Sequence, residues 1–168
     1  MVRLWDARAR GCWKLRGLSG LAVERTMLVF ATEQQACFDW AIDVTDKSDD
    51  PLVFEGFDYH WRATEECLGS FLRGIILLHT STCLRNWEGG SEAECERVER
   101  FVESWTHIPF RPLCTKLDFY VNGSSVLRCD WSEDSALVFA GGRDEQELEE
   151  HMAALGIELP DPWPDDVL

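Results

Sequence analysis

Short apolar runs rich in β-branched and aromatic residues open the folded part of this chain. Residues 27–31 and 36–42 read as strands, separated by a polar Glu33-Gln34-Gln35 corner. A polar loop over 45–51 follows, with Asp50 pushed towards extended backbone by Pro51. Residues 52–54 and 59–63 predict two more short strands. The period then changes from two to 3.6. Leu68, Phe71, Leu72, Ile75, Ile76 and His79 fall on one face of a helix, with Thr64 as its expected N-cap and Glu65 and Glu66 in its first turn. The unbroken apolar stretch 75–78 puts that helix deep against a sheet, and Gly69 and Gly74 permit close approach.

Ser91 and Glu94 have the spacing of a capping box. The helix predicted after them aligns Val98, Phe101, Val102 and Trp105 on one side and is ended by Pro109 and Pro112. Residues 117–121 and 126–131 flank Asn122-Gly123 as a β-hairpin, the clearest local signal in the sequence. A strand over 136–140 leads through Gly141-Gly142 to a helix that starts at Asp144 and stops at Gly156. Strands, then helices, then strands again predict an α+β fold: one domain with a largely antiparallel sheet and helices packed on one side. The expected division is a basic segment over 1–20, an α+β body over 21–156, and an acidic, Pro-rich tail over 157–168.

Composition fits one folded domain of 168 residues that buries about 70% of its unfolded surface. Charge adds more. Sixteen basic and thirty-one acidic residues leave −15, and the imbalance is uneven. The first 25 residues hold six basic and two acidic residues, a surplus of +4, so the remainder carries −19. From Asp144 onward there is no Lys or Arg. Such a field repels nucleic acid and attracts basic partners. Seven cysteines with no Cys-x-x-Cys pair suit a reduced compartment. Lys14 and Arg16 interrupt any signal-peptide core, and no apolar run is long enough to span a membrane. The expected location is the cytoplasm.

Catalytic signals are weak. The four histidines sit in four different predicted elements without a metal-ligand pattern, and Glu147 and His151 read as an ordinary i,i+4 pair. Gly141-Gly142 ahead of a helix suggests a phosphate cradle, but Asp144, Glu145 and Glu147 would repel one. Cys37 and Cys129 lie in predicted strands among apolar or acidic neighbours and read as buried structural thiols. No nucleophile elbow or phosphate-binding Gly loop is present. The expectation is therefore no enzyme, no cofactor and no metal.

The strand ending in Phe30-Ala31, the Glu33-Gln34-Gln35 corner and the second strand ending in Trp40 resemble the signature of the SUKH superfamily, with Gln34 where that family usually has Asn. Asp49-Asp50-Pro51-Leu52-Val53 is similar to its acidic loop and following strand. Trp61, Leu68 to Leu72, the Leu117-Asp118-Phe119-Tyr120 hairpin with Gly123 and Val126-Leu127, and the closing strand and helix over 136–140 and 144–155 continue the likeness. It spans roughly 21–155, and the start of the chain is short for the family.

The resemblance implies the same α+β architecture. Bacterial members are mostly immunity proteins that neutralise toxins, often nucleases. Eukaryotic members act in cell-wall regulation, which supplies a second reading, an intracellular regulatory scaffold. The expected partner is a cognate toxin or another basic protein, with neither nucleic acid nor membrane bound. Candidate partner-binding residues are Glu33, Gln34 and Gln35, the Asp43, Asp46, Asp49 and Asp50 cluster, and Trp61 and Trp87. Competing roles are local. The Glu33 corner is equally suited to tying its own turn, and the aspartates to a solvated loop.

Overall fold

The computed structural model describes residues 14–33, 37–58, 60–83, 91–112 and 117–157. Their order is β1 (Lys14–Leu15), a 3₁₀ turn (Leu18–Gly20), β2 (Ala22–Glu24), β3 (Met27–Thr32), β4 (Asp39–Asp43), β5 (Leu52–Phe57), β6 (His60–Cys67), α1 (Leu68–Cys83), β7 (Ser91–Glu94), α2 (Cys95–Val102), β8 (Thr106–Phe110), β9 (Leu117–Asn122), β10 (Ser125–Trp131), β11 (Ser135–Gly142) and α3 (Glu145–Leu155). The fold is α+β, and every registered strand pair is antiparallel. The strands form two sheets. One has six strands in the order β1-β3-β4-β5-β6, with β2 also on β3; the other has five in the order β7-β11-β10-β9-β8. The described residues up to Ile76, with 110–112, make one compact unit, and those of Leu77–Pro109 and 117–157 make the other.

In the first unit the sheet has two differently built faces. Trp40, Phe30 and Phe110 all meet the Phe71 ring of α1, at centroid distances of 5.6, 5.6 and 5.5 Å. A Cβ on Gly74 would overlap the Phe110 ring, so glycine permits that approach. Buried among these rings, Glu55 accepts the Trp40 indole N–H at 3.0 Å, which satisfies a polar group that would otherwise be costly at this depth. Met27, Val29 and Ala41 form a small buried cluster with Phe54 and Trp61 packed against it.

The second unit has the larger core. Val98, Val102 and Trp105, from α2 and just beyond it, meet Leu148, Met152 and Leu155 of α3 over Leu127, Cys129, Ala136, Val138 and Ala140 of the sheet. The Asp144 carboxylate caps α3 by accepting the Glu147 N–H at 3.1 Å. Gly156, at φ 70°, ends it, and the Gly156 and Ile157 N–H groups return to the Ala153 and Met152 carbonyls. Gly141 lies against the α1 backbone: a Cβ there would run into the Thr80 carbonyl.

Several expectations about element ends are corrected. Thr64 does not cap α1. It lies in β6, where its hydroxyl donates to the Val53 carbonyl at 2.8 Å across an irregular stretch of the β5–β6 pair. The helix begins at Leu68, and Asp50 supplies the end group by accepting the Gly69 N–H at 2.7 Å. Glu66, expected in the first helical turn, is buried in β6 and accepts the Arg111 N–H at 2.6 Å. Ser91–Glu94 is a strand on the edge of β11, not a capping box, because β11 offers it a complete ladder. After α2 the chain forms the strand β8, where the sequence predicts only the Pro-terminated end of a helix. Lys14–Leu15 and Ala22–Glu24 pair with β3 although their sequence shows no clear period. Residues 1–13 of the basic segment and 158–168 of the tail lie outside the described residues.

Candidate functional site

The candidate site lies in the first unit, where β3, β4, β5 and β6 share one end. Three cross-strand pairs line up there: Thr32 with Asp39, Asp39 with Gly56, and Gly56 with Trp61. Trp61 is half-buried, and its indole lies over Gly56 so closely that a Cβ would overlap the six-membered ring. A recess of about 210 Å³ opens beside this pair, lined by Glu24, Asp39, Gly56, Asp58 and Trp61. Glu24 belongs to an edge strand at the Met27–Asp43 end of the sheet and Trp61 to the opposite edge, so the recess runs across the curled sheet face from the hairpin end towards Glu24.

Three carboxylates thus face one small volume with an aromatic wall. Asp39 is partly neutralised: Arg16 Nη2 donates to it at 2.8 Å and the Thr32 hydroxyl at 2.6 Å, while Arg16 Nε donates to Thr32 Oγ1 at 2.9 Å. The recess contains no His or Cys, and no His/Cys/Asp/Glu group among the described residues has metal-binding geometry.

The last residue of β5 carries the most exposed apolar side chain of this end among the described residues. Phe57 is 62% exposed, and its ring lies 6.2 Å between centroids from that of Phe38. Asp58 follows with φ 48°, a left-handed conformation that Asp tolerates better than most residues. Phe57 and Glu55 point to one face of β5, Gly56 to the other. Phe57 and the Trp61 recess therefore flank the hairpin end on opposite sides.

The sequence-derived candidates separate into two groups. Glu33 is at this end of the sheet, where its N–H donates to the Phe38 carbonyl at 2.9 Å and its carboxylate accepts the Cys37 N–H at 3.4 Å. It ties its own corner. Gln34, Gln35 and Trp87 lie outside the described residues. Asp43, Asp46, Asp49 and Asp50 sit at the opposite end, around the β4–β5 connection, and three of them serve local structure. Asp43 accepts the Thr45 N–H and hydroxyl at 2.9 and 2.8 Å, which hold its carboxyl below its ordinary value of 3.8. Asp46 accepts the Ser48 N–H at 2.8 Å, and Asp50 caps α1. Asp49 is exposed.

Sequence reading missed Glu24, Asp39, Asp58 and Phe57. Positions 39, 56 and 61 are brought together only by strand register, which local spacing does not reveal. The alternation in 52–57 offered one signal, an aromatic next to an Asp at a strand end. Cys37 is exposed in a bend before β4, not buried in a strand as expected. Cys129 is buried in β10 as expected, and burial pushes its thiol up to about 12, with Asp118 and Asp130 adding to the rise.

No family model matches the chain, and comparison with curated proteins and with solved structures likewise finds no match.

Proposed function

We propose that this chain is a non-catalytic protein-binding protein, an immunity protein of the SUKH type that neutralises a basic cognate toxin by covering its active or substrate-binding surface. The observation that carries this reading is the charge: −15 overall, with carboxylates from β2, β4 and the β5–β6 turn gathered around an aromatic wall. A nuclease toxin presents a basic groove shaped for phosphates, and an acidic protein competes for the same field. The likeness over 21–155 supports the family assignment. The α+β fold agrees with it, as it does with many unrelated functions.

No helix among the described residues is long and apolar enough to cross a membrane. Action in the cytoplasm, where a producing cell needs protection, follows from the immunity reading and the unpaired cysteine pattern. The partner's identity decides between immunity and scaffolding. Tagged full-length protein is recovered from its native cells at low and high salt. A basic, toxin-like polypeptide that co-purifies at low salt and whose activity falls on addition of the protein is the expected result. Recovery of a resident regulatory protein alone would overturn the immunity reading.

A further inference from the structure

We infer that the β5–β6 hairpin end is the element that docks into the partner, with Phe57 as its apolar anchor and the Asp58–Glu24 side as the seat for a lysine or arginine side chain. This rests on the protein-binding reading above and names the surface that carries it.

Two independent features meet at this end. The first is apolar: a phenylalanine 62% exposed at a strand terminus, with Phe38 beside it. Large aromatics that leave water on association dominate binding energy at interfaces. The second is the acid-lined recess on the other side of the same two strands, where the Trp61 face adds an attraction for a cation. No hydrogen bond or ion pair holds the Asp58 side chain at this end, or the Glu24 side chain across the sheet face, among the described residues, whereas Asp43, Asp46 and Asp50 are engaged in turns and a helix cap. Charge complementarity therefore selects the occupant: a basic cleft with an apolar pocket, as on a protein that binds anionic chains.

The test uses the full chain, labelled with ¹⁵N, titrated with lysine-rich and arginine-rich peptides with and without interspersed leucine, and with an oligoglutamate control. Saturable shifts should concentrate at residues 56–61 and the Trp61 indole, with tighter binding for the leucine-bearing peptides. Phe57→Ser and Asp58→Asn should each weaken binding by about tenfold, the loss typical of an interface anchor. Asp58→Asn keeps a residue that tolerates the left-handed turn, and Asp46→Asn at the opposite end should leave binding unchanged. Shifts centred on residues 43–50, no saturable shift, or equal affinity for wild type and Phe57→Ser would overturn the assignment. The two readings fail separately. A basic protein that co-purifies equally with wild type and Phe57→Ser removes this surface and leaves the protein-binding function, whereas no basic partner with either removes the function.

Discussion

At the residue scale, buried polar side chains are matched largely to backbone groups: Thr64 and Ser81 donate to the Val53 and Leu78 carbonyls, and Glu66 accepts the Arg111 N–H. Glu55 is the side-chain case, because a buried carboxylate beside the Trp40 indole needs its donors. Trp40→Phe keeps the ring packing and deletes the indole N–H at 3.0 Å. It should cost about 1–3 kcal/mol, the range for leaving a buried polar group short of a partner, read by urea unfolding. Gly56 is equally constrained, but by space. Gly56→Ala should destabilise by about 1–3 kcal/mol, because the added methyl must displace the Trp61 ring.

The two best-described thiols differ in the same physical terms. Cys37 is exposed and Cys129 is buried with its thiol raised to about 12, so iodoacetamide should label Cys37 in the native protein and Cys129 only after denaturation. Labelling of both at equal rates would show that β10 opens readily. Asp43 sets a pH dependence. Its carboxyl is depressed by the Thr45 hydrogen bonds, so its stabilising effect is present above 3.8 and is lost as pH falls through the lower folded value. An NMR titration of Asp43 should show that midpoint, and Thr45→Val should raise it.

At the element scale, hydrophobic pattern and turn chemistry made much of the fold readable, and competition for hydrogen bonds hid the rest. The β9–β10 hairpin was legible because Asn122 and Gly123 sit between two apolar strands; the structure places φ 57° on Gly123. The α3 helix was legible from Asp144, whose carboxylate suits an N-cap, and Gly156, whose lack of a Cβ suits the left-handed C-terminal cap. Asp144→Ala should lower stability by about 1 kcal/mol. Ser91–Glu94 was not legible, because a capping box and an edge strand share that sequence and only the distant β11 decides between them. Thr64–Cys67 failed for the same reason: a threonine that serves as a cap in isolation here satisfies the Val53 carbonyl instead. Of the candidate site, Trp61 was found by residue type, whereas Asp39 and Gly56 were not, since only strand register brings them beside it.

At the scale of the whole molecule, the acid surplus is the feature that distinguishes this chain, and on the protein-binding proposal its consequence is kinetic. Long-range attraction raises the rate of encounter, and salt screens it over about 8–10 Å at ordinary ionic strength. Buried contacts at the hairpin end would then set the lifetime of the complex, so charge and aromatic changes should separate into association and dissociation effects. The most direct test of the account is the association rate between this chain and the basic partner that the proposal expects to co-purify, followed by stopped-flow across a salt series. The account predicts a rate that falls by about tenfold or more from low to high salt, with dissociation nearly constant. An association rate independent of salt would contradict it.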